Sequence, residues 1–493
     1  MPEQTTLIIF GATGDLARRK VAPALFQLHR QGALPSGICI LGFALPQLSD
    51  EEFRDHLWQG VLAHSEMPAR KSEWEEFAGC LHYVPGNLAS KDDFARLKVR
   101  LQELEADSRP ANRLFYLSLE PQLYQTTVDN LCGTGPGLCG VEPADENGGW
   151  RRVVVEKPFG TDLVSAQALN RKLRTLFNED QIYRIDHYLG KETVQNIFTF
   201  RFANAVFEPV WNRNYVEAVV ITVAEKVMVG DRGAYYDKAG VIRDMVQNHL
   251  LQLLTMTAME PPVAADSESL SNKKVEVLKA VRRWESGQAA KDAVRGQYRG
   301  YLKEPGVAPG STTPTYSALR LYVDNWRWDG VPFYLRTGKA MAEKVTEVVI
   351  KSRRAPHLIF SRQDGAEVSS NTLGLCIQPD EGVHLRFEVK GPERGLTLQP
   401  AEMKFHYQRD AKTGPLPDAY VQLIRDALEG DRSLFIRNDL IEEAWRIVDP
   451  LQREWEANPA DPPLHIYEPG SWGPSAADAL VAQYGGWTRG CVD

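Results

Sequence analysis

A short apolar run, LIIF, ends at Phe10, and the turn-forming GATGDLA follows at once. A helical stretch from about Asp15 to Arg30 comes next, with Leu16, Leu25 and Leu28 among its apolar residues. The same switch recurs up to about residue 180: ICILGF, DEEFRDHLWQGVL, LHYV, DDFARLKVRLQEL, RLFYLSL and RRVVVEKPFG. Strands that alternate with helices cannot pair as hairpins. They point to a parallel sheet with helices on its faces, a doubly wound domain.

The rhythm then changes. LGKETVQNIFTFRFAN carries Val194, Ile197, Phe198 and Phe202 at helical spacing, EAVVITVAEK is strand-like, and VIRDMVQNHLLQLLTMTAM is a long helix apolar enough to be buried. SALRLYVDN, VPFYLRTG, TEVVIKS, NTLGLCIQ, VHLRFEVK and LTLQPAEMKFHY follow with few helices between them. Strands in succession favour an antiparallel or mixed sheet, so the second half is expected to be α+β. The Pro/Gly-rich stretches near 133–149 and 305–314 read as loops.

Composition narrows the function classes. With 43% hydrophobic and 25% charged residues over 493 positions, the chain has material for a large core. Its net charge of −8 opposes nucleic acid and anionic membranes as partners. An anionic small molecule would need a local basic pocket. The cysteines Cys39, Cys80, Cys132, Cys139, Cys376 and Cys491 are scattered without a C-x-x-C pair, which predicts free thiols in a reducing compartment. With no basic N-terminal region and no long apolar run, the expectation is a soluble cytoplasmic protein.

A strand, a glycine turn and a helix start bring backbone N–H groups and the helix dipole against a pyrophosphate. Gly11 and Gly14 permit the turn, although their spacing is G-x-x-G rather than G-x-G-x-x-G, and a plain turn before a helix is the competing reading. After the second strand, GFALPQLSDEEF offers neither an early acid for a ribose 2′-hydroxyl nor an early Arg for a 2′-phosphate. Asp50 is the nearest acid, and Arg18 and Arg19 are the nearest cations, so spacing leaves NAD and NADP both open.

QIYRIDHYLGKETVQNI is the second informative stretch. If it is helical from His187, then Arg184, His187 and Lys191 share one face; if the helix starts near Leu189, His187 and Tyr188 sit at its N-terminus. Either arrangement gathers donors for a phosphate, against the alternative of a solvated basic face. Asp186 points away from that cluster and is free to orient a second imidazole. His249, on a stripe with Ile242, Val246 and Leu253, is the candidate, with Asp244 nearby and Glu156 and Lys157 at a strand end. A hydrogen-bonded core histidine is the competing reading. A carboxylate-oriented histidine is suited to taking a proton from an alcohol.

GATGDLARRKVAPALF, VVVEKPFG, YRIDHYLGKETVQNIFTFRFAN, FEPVWNRNYV, GVIRDMVQNHLLQ, VPFYLRTGKA and YEPGSWGPSAADAL together resemble the glucose-6-phosphate dehydrogenase family, in the family's order over nearly the whole chain. The resemblance implies an N-terminal Rossmann-like doubly wound domain, 1–180, which binds the dinucleotide. An α+β domain, 181–493, follows with a large, mostly antiparallel sheet that binds substrate and forms a homodimer or homotetramer. It implies His249 as proton acceptor, held and polarised by Asp186. His187, Tyr188 and Lys191 would grip the 6-phosphate. Lys157, in an EKPFG that usually carries a cis bond, would touch sugar and cofactor. Glu225, Asp244 and Lys339 would bind sugar hydroxyls, and Gln399 would line the pocket. Gly11, Thr13, Gly14, Asp15, Leu16, Arg18, Arg19, Lys20 and Leu45 complete the implied cofactor contacts.

Two departures stand out. Leu45 occupies the place where the family usually has an Arg for the NADP 2′-phosphate, which opens the way to NAD or to dual use. Glu120 stands where a proline is usual, near the expected nicotinamide pocket. The expected reaction oxidises C1 of glucose 6-phosphate to a lactone, with no metal and no covalent intermediate. Two other readings compete: a C1 dehydrogenase of another anionic or free hexose, and a silent nucleotide-binding regulator.

Overall fold

The structure is a computed structural model that describes residues 4–65, 67–105, 111–133, 149–285, 287–357, 359–362, 368–392, 397–410, 416–458 and 460–491. Most of the loop expected near 133–149, with Cys139, lies outside the described residues. The chain divides into two compact units. The first comprises Met1–Lys191, Ala265–Ser271 and Pro417–Ile441; the second comprises Glu192–Ala264, Asn272–Leu416 and Glu442–Asp493.

The first unit is built on six strands: β1 (Thr5–Phe10), β2 (Cys39–Ala44), β3 (Leu81–Pro85), β4 (Asn112–Leu117), β5 (Arg151–Val155) and β6 (Ile182–Arg184). They pair in parallel, in the order β3-β2-β1-β4-β5-β6. This is the strand order of a doubly wound dinucleotide-binding sheet, with β1 beside the switch point. β1, β2 and β4 are buried at every position, which is why they read as unbroken apolar runs. Between them, the helix Asp50–His64 starts in a capping box: the Glu52 N–H donates to Ser49 Oγ at 3.2 Å and the Ser49 N–H to Glu52 Oε2 at 2.8 Å.

The second unit carries β7 (Val216–Ala224), β8 (Ala293–Tyr298), β9 (Tyr316–Tyr322), β10 (Pro332–Gly338), β11 (Val345–Ser352), β12 (Ser361–Arg362), β13 (Thr372–Gln378), β14 (Gly382–Lys390), β15 (Thr397–His406) and β16 (Leu464–Tyr467). They form one sheet in the order β12-β15-β14-β13-β11-β7-β10-β9-β8-β16. Most neighbours are antiparallel, but β7 and β10 run parallel at its centre, with Ala224 opposite Gly338. The chain positions that follow these two strands therefore emerge side by side at one end of the sheet.

The expectation of free thiols needs correction. Cys376 on β13 and Cys491 form a disulfide, their Cα atoms 5.6 Å apart across 115 residues, while Cys39 and Cys80 are free. The sheet brings the C-terminal segment back against β13, a proximity with no local trace in the sequence. Among the described residues, no helix is long and apolar enough to cross a membrane.

Candidate active site

β1 delivers the glycine turn to the carboxyl end of the parallel sheet. Gly11 has φ +76°, and a Cβ there would lie 2.3 Å from Ser118 O, so only glycine fits. Its N–H donates to Phe43 O at 2.9 Å, and the Gly14 N–H donates to Gly11 O at 2.9 Å. Thr13 is half-buried, Gly14 and Asp15 are exposed, and the helix begins at Asp15. Its first N–H groups have no intrahelical partner, an arrangement suited to a pyrophosphate. The residues present therefore fit a dinucleotide.

Around that turn the side chains are largely committed. Arg19 lies 3.3 Å from Asp15, and Lys20 lies 2.6 Å from Asp418. Leu16 is half-buried, and Arg18 is exposed. Leu45, just past β2, is 69% exposed. Asp50, the nearest acid to the ribose in sequence, is spoken for: its Oδ1 accepts the Tyr83 N–H at 2.7 Å and its Oδ2 lies 3.6 Å from Arg100. Glu120 is exposed, and its carboxylate accepts a hydrogen bond from Gln122.

The RIDHYLGK segment folds as neither of the two forms anticipated. IYR is the edge strand β6, residues 187–190 form a turn, and the helix begins at Glu192. Arg184 leaves the cluster, because it is fully buried and forks onto Glu179 at 2.6 and 3.2 Å. The turn itself is organised by Asp186, whose Oδ1 accepts the Tyr188 N–H at 3.0 Å. Lys191 Nζ sits 4.5 Å from the Tyr188 ring centre, and the His187 ring lies 5.2 Å from that of Tyr188. Burial pushes the Asp186 carboxyl above the usual range, while His187, the Tyr188 N–H, Lys157 and Lys191 pull it back. These four groups thus collect around one carboxylate.

Lys157 precedes a cis peptide bond to Pro158 at the end of β5. Beside it, Glu156 is buried and was legible only as company for the cluster. Its Oε1 accepts from Tyr116 Oη at 2.7 Å and its Oε2 from Tyr420 Oη at 3.5 Å. Burial raises its pKa to about 7 despite these hydroxyls and Lys157. Tyr420 also stacks on His187 at 6.4 Å between ring centres, so this tyrosine links Glu156 to the turn.

In the second unit, the parallel pairing of β7 with β10 sets Glu225 beside Lys339: the Glu225 N–H donates to Gly338 O at 3.0 Å. Lys339 Nζ donates to the Glu225 carboxylate and lies 3.3 Å from Asp244 Oδ2. Burial pulls this lysine's pKa down, and the Asp244 and Glu225 charges outweigh it, holding it above the ordinary value. Tyr236 covers the group, with its ring centre 5.4 Å from Lys339 Nζ.

Asp244 and His249 share one helix. Gly240, at φ +63°, breaks the preceding helix, and Ile242–Leu250 then takes a π register. In that register the hydrogen bonds run between residues five apart, so the side-chain spacing departs from the 3.6-residue period. His249 is 1% exposed, and its backbone N–H donates to Asn248 Oδ1 at 2.7 Å. Gln399 stands elsewhere. It is on β15 opposite Val389, four strands from β7 in the sheet, and the structure does not bring it to Lys339.

Comparison with known proteins follows this geometry. Residues 8–196 match the model described as glucose-6-phosphate dehydrogenase, NAD binding domain, and residues 198–488 match glucose-6-phosphate dehydrogenase, C-terminal domain. The chain is 43% identical to a glucose-6-phosphate 1-dehydrogenase of Aggregatibacter actinomycetemcomitans, over 99% of this chain and 98% of that one. Among solved structures, a glucose-6-phosphate dehydrogenase in complex with its substrate glucose-6-phosphate superposes with a TM-score of 0.88 at 36% identity, covering 99% of both chains. The glucose-6-phosphate 1-dehydrogenase of Mycobacterium avium gives 0.85 at 37% identity, covering 100% of both.

Proposed function

The chain belongs to the glucose-6-phosphate dehydrogenase family, and from that premise we propose which atoms carry its reaction. The activity is oxidation of glucose 6-phosphate at C1 to 6-phosphogluconolactone with NAD(P), an oxidoreductase step of the pentose phosphate pathway. When bound, the nicotinamide dinucleotide supplies the hydride acceptor.

His249 takes the proton of the C1 hydroxyl, and Asp186 holds its ring in the tautomer that leaves the accepting nitrogen toward the sugar. His187, Tyr188 and Lys191 hold the 6-phosphate. Lys157 spans sugar and cofactor, while Glu225, Asp244 and Lys339 take the sugar hydroxyls. Gly11, Thr13, Gly14, Asp15 and Leu16 cradle the dinucleotide, with Arg18, Arg19 and Lys20 along the first helix. The observation that carries this reading is the gathering of Lys157, His187 and Lys191 around the turn that Asp186 organises. Lys157 from the end of β5 and His187 and Lys191 beside that turn suit a phosphorylated sugar better than a free one.

Exposed Leu45 supports use of NAD alongside NADP. As functional halves we propose a dinucleotide-binding part over 1–180 and a part over 181–493 that binds substrate and assembles a homodimer or homotetramer. Because phosphorylated sugars and nicotinamide dinucleotides are held inside cells, the cytoplasm is the proposed setting.

The test follows reduced-nicotinamide absorbance with glucose 6-phosphate and with free glucose, each with NAD and with NADP. Turnover of glucose 6-phosphate with both cofactors is expected, with free glucose far slower. Lys191→Ala is expected to raise KM for the phosphorylated sugar at least tenfold more than for glucose. An equal effect on both sugars would remove the phosphate role.

A further inference from the structure

On the second unit's sheet, β14 and β15 pair antiparallel, with His384 opposite Lys404 and Gly382 opposite His406. His384 and His406 therefore lie on one face as diagonal neighbours, within side-chain reach. Their ring centres are 5.1 Å apart. Asp380, in the turn between β13 and β14, faces both: its Oδ1 lies 2.9 Å from His406 Nδ1 and its Oδ2 4.0 Å from His384 Nε2. One donor atom from each of the three residues falls within 4.8 Å of the others.

Two features separate this group from an ordinary polar cluster. Both imidazoles are buried, at 1% and 5% exposure, yet none of their four ring nitrogens makes a hydrogen bond. The short approach of His406 to Asp380 is not aligned as one. Buried polar atoms are normally satisfied, so four orphans on two adjacent rings call for a partner. The second ring nitrogen of His384, Nδ1, lies 3.8 Å from Glu402 Oε1. A metal-bound histidine typically hands its other N–H to such a carboxylate, which fixes the ring.

We propose that Asp380, His384 and His406 bind one divalent transition-metal ion, Zn²⁺ before others, as a clamp joining the β13–β14 turn to β15. Two imidazoles and a carboxylate are a borderline-soft set that suits zinc and fits Mg²⁺ or Ca²⁺ poorly. Tetrahedral bonds of about 2.0–2.1 Å require donor atoms roughly 3.3 Å apart, a contraction that side-chain rotation supplies. The ion is structural and stands outside the dehydrogenase reaction. Charge limits its affinity: Lys404 stands opposite His384 and lies 3.6 Å from Glu402, and Arg386 lies 3.8 Å from Glu402.

The full chain, freed of metal with a chelator, is titrated with Zn²⁺ alone against a chromophoric competitor, and with Co²⁺ while its visible absorption is followed. One ion per chain is expected, with Co²⁺ giving the intense visible bands of a four-coordinate nitrogen/oxygen site. His384→Gln with His406→Gln is expected to weaken that binding at least 100-fold while dehydrogenase turnover persists. Lys404→Gln is expected to tighten it about threefold to tenfold, on removal of one facing positive charge. Absence of stoichiometric binding, or equal affinity in the double variant, overturns the proposal. If the double variant does not fold, Lys404→Gln decides: tighter binding supports the site, and unchanged affinity overturns it.

Discussion

Two buried ionisable groups, one in each unit, solve the same problem in opposite ways. Lys339 keeps its charge because two carboxylates, Glu225 and Asp244, meet it in a buried setting. Glu156 is equally buried but has two tyrosine hydroxyls as partners, and its pKa rises to about 7. Hydroxyls can satisfy a carboxyl in either protonation state, whereas opposite charges favour only the ionised one. The first arrangement fixes three charges relative to one another. The second leaves a proton that comes and goes near neutrality.

Removing one member of each group separates the two solutions. Lys339→Met leaves the buried Asp244 carboxylate without its cation, and breaking such a partnership costs about 3–5 kcal/mol. Denaturant unfolding is expected to show a loss of that size, and a loss under about 1 kcal/mol would mean that the pair is not coupled as described.

Glu156→Gln tests the other side through pH. The folded pKa of about 7 lies above the reference value of 4.5, so the folded state binds the extra proton between them. Its stabilising contribution is complete below about pH 4.5 and is lost as pH rises through about 7. Relative to the wild type, the Gln variant is expected to lack a decline of about 1–3 kcal/mol between pH 5 and 8. Parallel stability curves for the two proteins would show that Glu156 stays ionised.

The smallest expected effect concerns the proposed cofactor contact at exposed Leu45. Leu45→Arg is expected to raise the ratio of kcat/KM for NADP over NAD at least tenfold, about 1.4 kcal/mol. An unchanged ratio would place 2′-phosphate recognition elsewhere.

Much of this architecture was readable because its cause is local. β1 to β5 and β7, β9 to β11 and β13 to β15 announce themselves as apolar runs or alternations, and Gly11 as a turn residue. β6 is only three residues long and merges into the turn, so IYR was not read as a strand. What the sequence hides is proximity between distant segments. Glu225 and Lys339 meet because two strands pair in parallel, Cys376 and Cys491 because the C-terminal segment returns, and Glu156 and Tyr420 because residues 417–441 join the first unit. The π register of Ile242–Leu250 also escapes a reading based on 3.6-residue periodicity. The glycine turn, the RIDHYLGK cluster, Asp186, Asp244 and His249 were marked out by residue type and spacing, while Glu225, Lys339 and Gln399 came from motif resemblance. The structure brings Glu225, Asp244 and Lys339 together and leaves Gln399 on a distant strand.

The account rests on His249 as the group that accepts the proton. The most direct measurement is kcat for His249→Asn with saturating glucose 6-phosphate, taken across pH beside the wild type. A loss of about 10²–10⁴-fold in kcat, with the affinity for glucose 6-phosphate largely kept, is expected of a missing general base. Near-normal turnover by that variant would contradict the assignment.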